Sequence, residues 1–435
     1  MLRALFITFF AASFSLALPA QAEMQIKEVT SPGGITAWLV EDHNIPFTAL
    51  EIRFRGGTAL DAPGKRGAVN LMTALIEEGA GDMDSRAFAE ARDGLAASFS
   101  FDASADSVSV SARFLTENRD QAIALLREAL VNPRFDQSAV DRVREQVLSN
   151  IRSDEKDPDT LASRSFYALA FGDHPYGSSG DGTIETVTAL TRDDIAAAHQ
   201  GTLARDRIYV AAAGYITAED LAALLDRLFG DLPATGAPLP ERAPWALKPG
   251  VTVIDFPTPQ STVLFGHVGI PREDPDFFAA FILNEALGGG RFTARLMSEI
   301  REKRGLTYGI GSYLVALDQA EMYLGQFSAS NDKVAEAVSV LRAEWAKIAA
   351  EGLTEEELAT TKTYLTGSYP LRFDGNANIA SILVGMQMDD LPIDYPVTRN
   401  ARIEAVTMDD IRRVAKRLYQ PDALHFVVVG QPTGL

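Results

Sequence analysis

The 435-residue chain contains no cysteine. That excludes disulfides, a thiol nucleophile and thiolate metal sites, and leaves a packed core as the source of stability. Histidine is scarce too: His43, His174, His199, His267 and His425 complete the count, and no two lie three to five residues apart. No helix face can therefore offer a histidine pair to one metal ion, since that takes side chains about one turn apart. There is no Gly-x-Ser-x-Gly elbow and no Gly-x-x-x-x-Gly-Lys-Ser/Thr loop, which removes the usual serine-hydrolase and nucleotide-binding plans. The acidic stretch 154–159 lacks the spacing of a calcium loop and reads as a solvated turn before a helix. Positive charge is in deficit, with 40 Lys and Arg against 59 Asp and Glu and a formal net charge of −19. Such a surface argues against nucleic acid or an anionic membrane as partner. Long apolar runs are also missing, apart from one at residues 4–19 that is short for a membrane span.

That run has the order of a secretory leader. Arg3 precedes it and the small-x-small pattern Ala20-Gln-Ala22 follows. The expectation is a signal peptide over residues 1–22, cleaved after Ala22, and a mature chain that works in the periplasm without a membrane anchor.

An internal repeat organises the remainder. Thr191-Arg-Asp-Asp-Ile195 returns as Thr407-Met-Asp-Asp-Ile411, 216 residues on, and Tyr209-Val-Ala-Ala-Ala-Gly214 returns as His425-Phe-Val-Val-Val-Gly430 at the same displacement. Each Thr predicts a helix N-cap, each Asp pair suits the first helical turn, and each apolar run predicts a strand. Between the repeats, residues 232–244 hold four prolines and no periodicity, which predicts an extended linker. The predicted units are 23–231, a linker at 232–247, and 248–435.

Each unit reads as strands followed by helices. The first predicts strands at 36–40 and 47–54, a helix over 66–78, a second helix capped by Ser85, strands at 97–104 and 108–114, then helices over 116–131, 136–153 and 158–171. The second predicts strands at 251–256 and 263–268, a helix over 275–287, strands at 307–316 and 322–328, and helices starting near Asp332, Thr354 and Ala377. This order points to an α+β fold: two tandem sandwiches, each a mainly antiparallel sheet packed on helices.

Residues 287–308 stand out. Gly288, Gly289 and Gly290 predict a turn. Phe292, Leu296 and Ile300 recur at helical spacing, so a short helix is predicted up to about Lys303, with Gly305 ending it. Tyr308, Ile310, Ser312 and Leu314 then alternate as in a strand. Arg301 falls in the last helical turn and Tyr308 near the strand's start; taken alone, both suit plain packing and solvation.

The stretch also resembles the second-domain signature of the pitrilysin/insulinase family of zinc metallopeptidases, to which mitochondrial processing peptidase belongs. The shared pattern is Gly-Gly-Gly, Arg-Leu, then Ile-Arg-Glu-Lys-Arg-Gly-Leu-x-Tyr. The resemblance implies that Arg301 and Tyr308 hold a substrate backbone beside a zinc ion carried elsewhere. Tandem sandwiches are also the architecture of one half-molecule of that family, so the resemblance extends over the whole mature chain.

The family's zinc helix carries His-x-x-Glu-His, with a carboxylate from a later helix. Aligned on Gly67 and Gly79, the two histidine positions fall on Asn70 and Ala74, the glutamate on Thr73, and the third ligand on or near Val143. The site is degenerate, so no metal is expected in this chain. Glu77 and Glu78 diverge by about 100° around a helix and read as solvated charges at its end. His174, in Asp173-His-Pro-Tyr-Gly177, matches a family segment read as a structural turn.

The resemblance then implies a division of labour. This chain would be the non-zinc-binding subunit of an exported heterodimeric peptidase, supplying Arg301 and Tyr308 to unfolded peptide substrates while a partner with His-x-x-Glu-His supplies zinc. Such a subunit would be inactive alone. The alternatives are a purely structural subunit and a peptide-binding protein without proteolytic role.

Overall fold

The repeat seen in the sequence is built around two matching helix starts. The computed structural model describes residues 25–435, so the leader expected over 1–22 lies outside the described residues. Thr191 caps the helix Arg192–Thr202: its hydroxyl accepts from the Asp194 N–H at 3.2 Å, while the Asp194 carboxylate accepts from the Thr191 N–H at 2.8 Å. Thr407 and Asp410 repeat this exchange at 3.2 and 2.9 Å before the helix Met408–Leu418. Two orphan donors are satisfied reciprocally at each start.

The strands that follow, Ile208–Gly214 and His425–Gly430, each lie inside a sheet. Ile208–Gly214 runs parallel to Thr36–Glu41 and antiparallel to Phe47–Arg55, beyond which lie Ser107–Leu115 and the edge strand Ser98–Ala103. His425–Gly430 runs parallel to Gly250–Asp255 and antiparallel to Gln260–Val268, followed by Ala320–Ser330 and the edge strand Ile310–Leu317. The two strand orders correspond one to one, and the first sheet adds Lys27–Thr30. One pair in each sheet is parallel and the others are antiparallel, which is the α+β sandwich architecture read from the sequence.

One face of each sheet packs on helices of its own half. In the first half, Leu50, Ile52 and Phe54 point from their strand, at the period of two, into a core shared with Leu71, Leu126 and Val140. The opposite faces are covered by exchange. Ala162, Phe166 and Ala170, four apart on the helix Pro158–Phe171, pack on Leu264, Met322, Leu324 and Val427 of the second sheet. Ala380, Leu383 and Val384 of the helix Asn376–Met388 pack on Trp38, Val40, Ala49, Ala211 and Ala213 of the first. The alanines let that helix approach closely. Residues 232–249, between the sheets, contain no helix or strand.

Local corrections have simple causes. The helix predicted over 66–78 is Ala68–Leu75, because Gly67 starts it with φ +96° and the chain turns before Gly79 at φ +119°. The second helix is capped by Asp84, whose carboxylate accepts from the Ala87 N–H at 2.9 Å; Ser85 is its first helical residue. Phe292 precedes the helical turn and is 60% exposed. The turn Met297–Glu302 is wound as a π-helix, and the strand predicted from 307 begins at Ile310.

Candidate functional site

Gly305, at φ +60°, ends the π-helical turn, and its N–H donates to the Arg301 carbonyl at 2.9 Å. Leu306 is buried and its N–H reaches back to the Ile300 carbonyl at 3.0 Å. Thr307, buried next, donates its hydroxyl to the Ser328 carbonyl at 2.6 Å and accepts from the Gly309 N–H at 3.2 Å. Two inward anchors thus flank one outward residue. Tyr308 is 86% exposed.

Arg301 and Tyr308 line one cavity of about 590 Å³, together with Gln260, Ser328 and Lys333. Neighbouring cations are occupied: Lys303 and Arg304 bind Glu299 at 2.5 and 2.8 Å, and Lys333 donates to the Gly305 carbonyl at 3.0 Å. Arg301 instead lies 4.6 Å over the Phe292 ring, and among the described residues no carboxylate pairs with it. The sequence reading had placed Phe292 in the helix and missed this platform. Chemically, the cavity offers an oriented guanidinium and a phenol, both donors to carbonyl or carboxylate oxygen.

The zinc-equivalent positions lead elsewhere. Ala74 is exposed and Asn70 half-buried on the same face of Ala68–Leu75. Thr73 is buried and donates its hydroxyl to the Val69 carbonyl at 2.8 Å, so it is no base. Val143 belongs to the hydrophobic core. An amide, two apolar side chains and a committed hydroxyl do not fit a zinc ion. Among the described residues, no group of three His, Asp or Glu side chains is placed to hold a metal.

The charges nearby are bound to one another. Arg66 donates to the Pro175 and Ser178 carbonyls at 2.8 and 2.9 Å and pairs with Asp61. Glu77 binds Arg92 at 2.9 Å, and Glu78 binds Arg142 and Ser85, so these glutamates are ion-paired and not merely solvated, as the sequence had suggested. His174 caps its turn by accepting from the Tyr176 N–H, and the other end of its ring meets the Glu241 carbonyl at 3.0 Å. His199 is buried against the Leu130 carbonyl at 2.8 Å, and burial lowers its pKa. Asn70 lines a separate cavity of about 490 Å³ that shares no residue with that of Arg301 and Tyr308. Within one chain the two sets are not brought together.

Comparison with known proteins places this frame. The profile described as "Insulinase (Peptidase family M16)" matches residues 37–183, and that described as "Peptidase M16 inactive domain" matches 189–365. The chain belongs to the insulinase (M16) peptidase family. Among its relatives in this family, the non-peptidase homolog YmxG of Helicobacter pylori is 25% identical over 89% of this chain and 90% of its own length. An uncharacterized zinc protease of Streptomyces coelicolor is 26% identical over 90% of this chain and 86% of its own. The crystal structure of a peptidase M16 inactive domain from Pseudomonas fluorescens superposes with a TM-score of 0.87 at 27% identity, covering 94% of this chain and 99% of the other. A protease from Helicobacter pylori has the same fold, with a TM-score of 0.85 at 17% identity and coverages of 94% and 99%. Among the described residues, no helix is long and apolar enough to cross a membrane.

Proposed function

We propose that this insulinase-family chain is the non-zinc-binding subunit of an exported two-subunit peptidase. Arg301 and Tyr308 bind an extended, unfolded peptide, and a partner bearing His-x-x-Glu-His holds the zinc. The observation that carries this reading is the contrast between the two sets of side chains. Asn70, Thr73, Ala74 and Val143 do not make a zinc site, whereas Arg301 and Tyr308 face an open cavity and have no polar side-chain partner among the described residues. In that arrangement Arg301 binds a substrate carbonyl or carboxylate, and the Tyr308 hydroxyl donates to an oxygen that gains charge during cleavage.

Reconstitution with the partner tests the assignment. Arg301→Ala and Tyr308→Phe are each expected to lower peptide hydrolysis by about 10²–10³-fold while leaving complex formation intact. Neither residue is a core residue, so folding should be nearly unaffected. Normal turnover by both variants would discard the catalytic role in favour of a structural subunit. Metal analysis of the mature chain, purified without a metal-affinity tag, is expected to find no stoichiometric zinc. One tightly bound zinc per chain would contradict the division of labour.

A further inference from the structure

Beside the edge strand Ile310–Leu317, the chain gathers three arginines that form no ion pair among the described residues, although its overall charge is −19. A cavity of about 870 Å³ opens there, with residues 311–314 on one side and Arg272, Arg372 and Arg399 on the others. Arg272 donates to the Tyr395 hydroxyl at 2.8 Å and lies 4.3 Å over the Phe277 ring. Arg399 is only 6% exposed; it lies 4.1 Å over Tyr369 and donates to the Leu365 carbonyl at 3.0 Å and the Asn400 amide oxygen at 3.1 Å. Arg372 is exposed, and among the described residues it has no hydrogen-bond or ion-pair partner.

Aromatic faces and neutral oxygens thus position Arg272 and Arg399 without an ion pair. Two carboxylates share the wall. Glu285 is paired with Arg291 at 2.9 Å and feels the charge of Arg372 at longer range, and Asp389 feels that of Arg272, but neither forms an ion pair with any of the three arginines. Burial lowers the pKa of Arg399, and repulsion from Arg372 acts in the same direction. A buried cation flanked by a like charge is unfavourable until an anion arrives, and a guanidinium matches a carboxylate in shape as well as in sign.

We propose that Arg272, Arg372 and Arg399 form a carboxylate-binding subsite that selects acidic extended peptides. The inference rests on the reading that Tyr308 meets a peptide substrate. Tyr308 stands two residues before the edge strand, and residues 311–314 line the arginine cavity. At about 3.3 Å per residue, an extended peptide held at Tyr308 reaches the cluster within roughly 10–20 Å. The carboxylate is that of an acidic side chain or of the peptide's C-terminus.

The test is direct binding to the mature full-length chain alone, followed by fluorescence anisotropy. The probes are N-terminally labelled peptides of Ala, Ser and Gly carrying either two Glu or two Gln, each with a free or an amidated C-terminus. The charged probes are expected to bind about 10-fold more tightly than the Gln amide, with the preference shrinking as salt rises. Arg372→Gln and Arg272→Gln should each remove most of that preference. Arg412→Gln, an exposed position outside the cavity, should leave every affinity unchanged. Loss on Glu→Gln assigns the subsite to a side chain, and loss on amidation assigns it to the C-terminus. Equal binding of charged and neutral probes, no binding of any probe, or an undiminished preference in both arginine variants would overturn the proposal. No partner and no hydrolysis enter the measurement, so its outcome is independent of whether the pair cleaves peptides.

Discussion

Two segments hold equivalent places in the halves, each just ahead of its sheet's edge hairpin: the helix Ser85–Gly94 and the π-helical turn Met297–Glu302. Each carries an arginine near its end. Arg92 is bound by Glu77 at 2.9 Å and Asp93 at 3.2 Å, while Arg301 lies over an aromatic ring and has no ion pair among the described residues. The same difference runs through both halves. Around the zinc-equivalent helix, Arg66, Glu77, Glu78 and Arg142 close on local partners; beside the second sheet, Arg301, Arg372 and Tyr308 are left open. One frame thus supports a region whose charges close on one another and a region where Arg301, Arg372 and Tyr308 have no ion-pair partner among the described residues.

The largest expected effect concerns what the halves share. Phe166 is fully buried in the helix that the first half lays on the second sheet. Phe166→Ala leaves a cavity there and is expected to cost about 3–5 kcal/mol. Leu383→Ala, in the reciprocal helix, should cost about 2–5 kcal/mol. Because each half covers the other's sheet, both variants should unfold in one cooperative calorimetric transition. Two separated transitions, with only one moved, would show that the halves are energetically independent despite the exchange.

Next in size is the arginine pair itself. Loss of Arg301 is expected to act on turnover at the 10²–10³ level. Arg92→Ala removes two partly exposed ion pairs and should cost under about 1 kcal/mol of stability, with hydrolysis by the reconstituted pair unchanged. Equal kinetic losses in both variants would mean that the two segments do not differ in role.

A smaller effect is expected where the halves meet. Asp318, in the turn between Ile310–Leu317 and Ala320–Ser330, has its N–H held by the Asp106 carboxylate at 3.1 Å and its own carboxylate 3.3 Å from Arg55. Burial pushes its pKa up to about 6 against the pull of Arg55, and Asp106, Asp390 and Asp389 add repulsion. A carboxyl raised above its unfolded value weakens the fold while ionised, and that penalty disappears as pH falls through about 6 towards 4. Asp318→Asn should therefore be more stable than the parent above pH 7, by on the order of 1–2 kcal/mol after loss of the Arg55 pair. The advantage should fade near pH 4. Urea denaturation across pH decides it, and a difference that stays flat or grows in acid would refute the assignment.

What the sequence disclosed divides along physical lines. The N-caps Thr191 and Thr407 were legible because capping is a local pattern, and the structure adds that Asp194 and Asp410 return the bond. The loss of the zinc site at Asn70, Thr73 and Ala74 was legible because the resemblance aligns the zinc helix on Gly67 and Gly79. The exchange of helices was not legible, since alternation marks a sheet's two faces without saying which distant helix covers each. Asp84 displaced Ser85 as cap because both residue types suit that position and only the backbone at 84, at ψ 177°, selects between them. The cluster of Arg272, Arg372 and Arg399 joins residues from three distant segments, so no local spacing announced it.

The smallest expected effect tests the equivalence of the frames most closely. Thr191 and Thr407 accept from their N3 amides at the same 3.2 Å, and their Asp partners return the bond at 2.8 and 2.9 Å. Replacing either Thr with Ala leaves an unsatisfied amide at a helix start, which typically costs about 1 kcal/mol. The surroundings differ in one respect. Asp194 also binds Lys65 at 2.9 Å, while Asp410 binds Arg413 at 2.8 Å within its own helix. The charge-assisted hydrogen bonds of Asp410, led by that to Thr407, hold its pKa down to about 2. Thr407→Ala removes the hydroxyl's share of that depression and raises the carboxyl's pKa. This part of its cost is present in full at pH 7 and shrinks as pH falls from about 4 towards 2, where Asp410 becomes protonated in the parent as well. Chemical denaturation at pH 7 should give the two variants equal losses within about 0.5 kcal/mol, with both additive in the double variant. A loss confined to one half, or strong coupling between these distant caps, would mean that the repeated sequence does not carry the same energy in both halves.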